Sequence, residues 1–236
     1  RLMRGVYRRP LPPNVGASAE TDWQTPLLSL QWILGWDVHL GGESALHLQG
    51  FAHFLPLGNP VNVHLYGDVP SWLHRLPTRT TFFVHRRTLF GDDRTGIQEI
   101  NDAGDESLAT APAVNVWRWP VRAASPERAI LEALDELPGR ARFDHLDTIF
   151  EGLTTLRPRR VQTLLEACRS VKVRRLFLLF ADRHHHAWRR YLDTRRIDLG
   201  AGPRALVEGG RLHPRYKIYV PADFVPDHAS TGRGDG

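Results

Sequence analysis

The spacing of apolar residues changes once along this chain, near Pro120, and that change limits the possible folds more than any other feature. Before it, Val61, Val63 and Leu65 alternate with Asn62, His64 and Tyr66. That is the period of a strand with one buried face. Residues 80–85, 97–100 and 114–119 are rich in β-branched and aromatic side chains and read as further strands. After it, the spacing lengthens to three and four. Ser125-Pro126-Glu127 opens a helix: Ser125 caps, Pro126 takes the first position, and Glu127 meets the positive end of the dipole. Ile130, Leu131, Leu134 and Leu137 form its stripe, and Pro138-Gly139 stops it. Asp144 caps a second helix through Leu146, Ile149, Phe150 and Leu153. Pro158 opens a third, with Val161, Leu164, Leu165 and Cys168 inward. Val173, Leu176, Phe177 and Phe180 mark a fourth, and Trp188, Tyr191 and Leu192 a fifth.

Both ends of this pattern are legible too. A helix is expected over residues 23–35, with Leu27, Leu28, Leu30, Ile33 and Leu34 as its stripe and Trp23, Trp32 and Trp36 as anchors. A short strand, 37–40, is broken by Gly41-Gly42, and a helical pattern resumes to about Phe51. Residues 70–76 read as one helical turn. Residues 205–207 and 216–220, around Gly209-Gly210, read as a closing hairpin. The fold class expected is α/β (α+β), a mixed sheet with a five-helix region at 124–193. One domain spans 23–225, after a Pro- and Gly-containing linker at 11–22 and before a frayed polar tail at 226–236. No apolar run approaches the roughly 18 residues of a membrane span. The single cysteine, Cys168, excludes an intramolecular disulfide and a cysteine zinc site. A cytoplasmic protein without a membrane partner is expected.

Of the 31 basic residues only Lys172 and Lys217 are lysines, and the net charge is +5. The excess is concentrated. Residues 1–119 carry 10 arginines against 11 acids, whereas residues 120–217 carry 18 arginines and two lysines against 12 acids. Such a block suits an anionic partner, nucleic acid above all. Interleaved Asp and Glu leave a second reading open, in which these are solvated helix faces.

The chemistry-bearing patterns are sparse. In a helix, neighbouring residues of His184-His185-His186 point about 100° apart and cannot share one metal. No H-E-x-x-H spacing accompanies them, so neither a metal nor another cofactor is expected. Neither lysine completes a nuclease signature, no Asp-x-Asp follows the Gly41-Gly42-Glu43-Ser44 turn, and no G-x-S-x-G, Walker A or G-x-G-x-x-G motif occurs. Gly41-Gly42 reads as a tight strand-to-helix connection, and Cys168, among Leu164, Leu165 and Val171, as a core residue. An unrecognised nucleic-acid-processing enzyme is the rival to a binding protein.

Two basic motifs remain. Arg157-Pro158-Arg159-Arg160 sets three guanidinium groups at a helix N-terminus, where free N–H groups favour anions, and Lys172, Arg174 and Arg175 follow on the next element. An anion-binding surface and a solvated helix face are both open for these six. Arg1, Arg4, Arg8 and Arg9 surround Val6-Tyr7. They read as the wing of a winged helix-turn-helix, with Arg1, Arg4, Tyr7, Arg8 and Arg9 at the DNA. Its recognition helix would precede Arg1.

Several stretches resemble the AbiEi family of antitoxins, the transcriptional regulators of AbiE-type (type IV) toxin–antitoxin operons. RLMRGVYRRP (1–10) resembles the family's wing, and residues 27–58, with Gly-Gly-x-Ser-Ala-Leu at 41–46, the opening of its C-terminal domain. Residues 125–138 and 151–188 resemble its helical part, and 197–221 its closing strands. The resemblance implies a two-part protein lacking most of its winged helix. The winged helix binds operator DNA and represses its own operon. The C-terminal domain opposes a nucleotidyltransferase toxin without a stable complex.

Overall fold

The computed structural model describes residues 23–51, 61–78, 80–101 and 119–226. The expected wing, linker and tail, and most of the strand expected at 114–119, lie outside these. The chain divides into two compact units, Arg1–Ile130 and Leu131–Gly236. The division falls within one helix, α3 (Pro126–Asp135).

The first unit is built on a five-stranded mixed sheet of order β3-β2-β1-β5-β4. Its strands are β1 (Val38–Leu40), β2 (Asn62–Gly67), β3 (Thr81–His85), β4 (Ile97–Ile100) and β5 (Val121–Ala124). β1 pairs antiparallel with β2 and parallel with β5, β2 runs parallel to β3, and β4 antiparallel to β5. The α/β class is thus as expected.

The entry to the sheet differs from a regular helix over 23–35. α1 (Gln24–Leu28) widens into a π-helical turn, Ser29–Ile33. The Leu34 N–H donates to Ser29 O at 2.9 Å, and that of Trp36 to Leu30 O at 2.9 Å. The wide turn shifts the stripe. Leu27, Leu28 and Leu30 are buried, while Ile33 and Leu34 are 58% and 51% exposed. The inward place goes to Gln31. Its Nε2 donates to Val38 O (3.0 Å) and Arg122 O (2.8 Å), and its Oε1 accepts from Arg122 N–H (2.9 Å). One buried amide thereby bolts β1 to β5, whose register is otherwise held at Leu40 and Ala123. The Trp32 indole N–H donates to Pro120 O at 2.7 Å.

Gly41-Gly42 is the tight connection expected. Gly42 opens α2 (Gly42–Leu48) at φ +52°, where a Cβ would stand 3.3 Å from the Tyr66 hydroxyl. Ser44 Oγ accepts from His64 N–H at 2.9 Å. β2 is more buried than alternation implied, because Tyr66 is covered as well as Val63 and Leu65. His39, Tyr66 and His85 are register partners across β1, β2 and β3, stacked at 5.5 and 4.6 Å. His64 Nδ1 lies 3.0 Å from His85 Nε2.

α3 begins at Pro126 as expected, but Ser125 does not cap through its side chain. Its Oγ is buried and makes no hydrogen bond among the described residues, and its carbonyl accepts from Ala129 N–H instead. In the second unit, α4 (Phe143–Gly152) starts one residue before Asp144, so that acid sits in the first turn and pairs with Arg142. α5 (Pro158–Ala167) and α6 (Val171–Arg183) match their stripes, and Ser170 Oγ caps α6 by accepting from Val173 N–H. Phe150 is the centre of the core, with ring centroids 5.3 Å from Phe177, 5.4 Å from Phe180 and 6.2 Å from Trp188.

The fifth helix is a 3₁₀ segment, Ala187–Tyr191. His184 ends α6, His185 turns left-handed at φ 51°, and His186 is buried with Nε2 on Phe150 O. Trp188 donates its indole N–H to Leu153 O at 2.8 Å. His186 and Trp188 are the inward anchors of this segment, and Tyr191, expected inward, is 62% exposed. The closing strands also differ. β7 (Arg211–His213), not β6 (Arg204–Ala205), forms the hairpin with β8 (Ile218–Val220), and β6 lies parallel on β8's other edge. The chain turns at 213–217, where Lys217 N–H donates to His213 O and Lys217 has φ 50°. Gly209-Gly210 only leads into β7, where a Cβ on Gly210 would meet Val220 O at 2.9 Å.

Candidate functional site

Arg1, Arg4, Tyr7, Arg8 and Arg9 lie outside the described residues. The other six candidates divide between two helices. Arg157 is the residue before α5, and Arg159 and Arg160 are in its first turn. Arg157 and Arg159 are exposed and Arg160 is half-buried. Neither Arg159 nor Arg160 has an acidic partner among the described residues.

The three on α6 are engaged with the protein itself. Lys172 Nζ caps the end of α3 through Asp135 O and Leu137 O (3.1 Å) and pairs with the Asp135 carboxylate at 3.1 Å. Arg174 is buried. Its Nη2 reaches Asp198 at 3.5 Å, while its Nε has no hydrogen-bond partner among the described residues. Arg175 is 2% exposed and is caged by carbonyls. Nε donates to Leu199 O (2.7 Å), Nη1 to Gly202 O and Lys217 O (2.8 Å each), and Nη2 to Gly200 O (3.1 Å). Burial pulls its guanidinium below the usual value, and Arg204 adds repulsion. The six therefore do not share one surface.

What adjoins α5 instead is the stretch after His186. Gln162 exchanges hydrogen bonds with the backbone of Asp193, at 3.2 Å to its carbonyl and 2.9 Å from its N–H. Four residues along α5, Glu166 pairs with Arg196 at 2.9 Å. This lays 187–196 along the helix. Arg190, Tyr191, Arg195 and Arg196 are all exposed on it. Arg190 covers the Tyr191 ring at 4.8 Å and donates to its hydroxyl at 2.7 Å. A clustering of arginines at 189–190 and 195–196 was the available signal, hidden by reading Tyr191 as core.

Two carboxylates elsewhere are each engaged by arginine. Asp182 holds Arg189 (2.8 Å), Arg215 (2.7 Å) and the Tyr216 hydroxyl. Asp147 holds Arg183 and His184. Among the described residues no group of three His, Cys, Asp or Glu is placed to hold a metal ion. Burial pushes the Cys168 thiol up to about 11, so at neutral pH it is no thiolate nucleophile.

Asp37 joins Arg87 and Arg94, the latter through both oxygens at 2.6 Å. Burial raises its pKa, yet the two arginines win and hold the carboxyl below the usual 3.8. A depressed carboxylate pKa stabilises the fold above the unfolded value, and that stability is lost as pH falls through the folded value. In urea unfolding between pH 6 and 3, the native chain is expected to lose stability below about pH 4 more steeply than Asp37→Asn. Parallel curves would show that the pair is screened to insignificance.

No described helix is long and apolar enough to cross a membrane. A search of curated proteins finds no match. Among solved structures, the fold is similar to that of the RV2827C protein from Mycobacterium tuberculosis, with a TM-score of 0.56 over 86% of this chain and 67% of that one. At 13% identity this likeness concerns the fold alone. The family model described as transcriptional regulator, AbiEi antitoxin, type IV toxin–antitoxin system matches residues 61–221. The model of the AbiEi antitoxin N-terminal domain matches residues 1–57. With both models in sequence order, this chain belongs to the AbiEi family of antitoxin transcriptional regulators of type IV toxin–antitoxin systems.

Proposed function

We propose that this chain opposes a nucleotidyltransferase toxin encoded beside it, without a stable complex, and represses their shared operon by binding operator DNA. The observation that carries the reading is the order of the two family matches, regulator N-terminal domain at 1–57 and antitoxin at 61–221. In this reading residues 1–10 are the wing, and Arg1, Arg4, Tyr7, Arg8 and Arg9 hold operator phosphates. Residues 11–22 are a linker, 23–225 the antitoxin part and 226–236 a tail. Arg157, Arg159 and Arg160 supply an anion-binding surface to the antitoxin part. The protein acts as a binder in the cytoplasm, with no catalytic step, metal or cofactor of its own.

The test is growth of cells induced for the neighbouring toxin gene, with and without the 236-residue chain supplied from a second plasmid. Restored growth is expected, with no co-purification of the toxin. Continued arrest while the chain is abundant and folded would overturn the antitoxin role for these residues.

A further inference from the structure

The surface formed by α5 and residues 187–196 combines two features that are seldom exposed together. The first is surplus positive charge. Glu166 and Asp193 are the acids at this seam, and both are engaged: Glu166 by Arg196 and Gln162, Asp193 by the Arg195 N–H. Arg159, Arg160, Arg190 and Arg195 have no acidic partner among the described residues, in contrast to the paired arginines around Asp37, Asp147 and Asp182. The second is Tyr191, 62% exposed on a segment pinned from beneath by Trp188 and His186. A rigidly held, hydrated aromatic ring gains most from a flat partner that can stack on it. Arg190 already lies at 4.8 Å over the ring and tethers its hydroxyl, which limits the rotamers the ring must lose on binding.

We propose that this surface binds a single-stranded nucleic-acid segment, with a base stacked on Tyr191 and the backbone phosphates held by Arg159, Arg160, Arg190 and Arg195. A duplex keeps its base faces hidden in its own stack, so it can use the arginines but not the ring. Single strands offer both. RNA and DNA strands share this chemistry. The assignment builds on the reading of Arg157, Arg159 and Arg160 as an anion surface and gives that surface a ligand class.

The full chain is titrated with fluorescein-labelled 20-nucleotide single strands of RNA and DNA, and with a random-sequence duplex of the same length, over a range of salt concentrations. Every variant is titrated in an Arg4→Gln, Arg8→Gln, Arg9→Gln background, so that the N-terminal arginines do not mask this surface. Tyr191→Ala is expected to weaken single-strand binding about tenfold with the salt dependence unchanged, and to leave duplex binding as it was. Tyr191→Phe keeps the stacking face and retains most of the affinity, losing only the hydroxyl's tether to Arg190. Arg159→Gln with Arg195→Gln weakens all three probes and lowers the single-strand salt slope by about 0.7 per lost contact. A stronger effect of Tyr191→Ala on RNA or on DNA upholds the proposal and names the strand. If Tyr191→Ala changes nothing while the arginine variant weakens binding, the anion surface stands and the single-strand assignment falls. If neither variant changes binding, both fall.

Discussion

Replacing Arg175 by methionine is expected to unfold the closing segment of the second unit, at a cost of about 3 kcal/mol. The guanidinium holds four carbonyls, from Leu199, Gly200, Gly202 and Lys217. Lys217 O keeps the Arg204 N–H at 2.9 Å, whereas the carbonyls of Leu199, Gly200 and Gly202 have no second backbone donor among the described residues. An acceptor left without a partner costs about 1–3 kcal/mol when buried; the low end applies to the three that remain, since Gly200 and Gly202 are exposed, and methionine relieves the desolvation of a buried cation. A loss of that size is a large fraction of a domain's total stability, roughly 5–15 kcal/mol. Arg175→Lys retains the charge but presents one compact ammonium, which cannot span the four oxygens, so it recovers only a minor part. Hydrogen exchange of the amides in β7 and β8 is the local readout, and it should accelerate by about two orders of magnitude (1.4 kcal/mol per factor of ten). Exchange unchanged in Arg175→Met would show that the hairpin is held by its own ladder and that Arg175 is available for other work.

That result would also explain why charge was a poor guide to the site. Along the sequence, Lys172, Arg174 and Arg175 look like a basic run beside the Arg157–Arg160 motif. A cation reads as exposed unless a partner is in sight, and Arg175's partners lie 24 to 42 positions further on. The same blindness to long-range partners covers Gln31, a polar residue inside an apolar stripe whose three bonds reach β1 and β5. Bonding to two strands at once favours a wide turn there, and Ile33 and Leu34 are turned outward as a consequence. Period and punctuation were reliable where local geometry decides. Pro158 opens α5, Gly42 takes the positive φ at the head of α2, and the strands at 62–67 and 81–85 lie where alternation and β-branched and aromatic richness, respectively, put them. They failed where a short segment is shaped by what it packs on. The segment after α6 is held by His186 and Trp188, anchored inward, and Tyr191 is left exposed. The candidate surface was therefore half legible. Its α5 arginines are local, whereas its aromatic and its other arginines are brought to them only by packing.

The second large effect is expected at Gly67. It ends β2 opposite Val38 at φ +133°, a conformation that L side chains rarely adopt. A Cβ there would stand 2.3 Å from Asp37 O and 3.1 Å from Val38 Cα. Both obstacles are backbone, so no rotamer change clears them. The Asp37 carbonyl cannot retreat alone, because its side chain is fixed by Arg87 and Arg94 and the next residue is committed to the β1–β2 ladder. Strain of about 1–3 kcal/mol for the φ and about 1–3 kcal/mol for overpacking predicts a loss near 4 kcal/mol in Gly67→Ala. Gly35 separates the two contributions. It has φ +66° with nothing within 4 Å of a built Cβ, so Gly35→Ala carries the conformational part, about 1 kcal/mol. Denaturant unfolding of the two variants side by side gives, as their difference, the close-approach cost together with the extra strain of φ +133° over φ +66°. Equal losses would mean that β1 and β2 yield readily at this end, and that the Asp37–Arg87–Arg94 cluster does not hold the sheet rigid there.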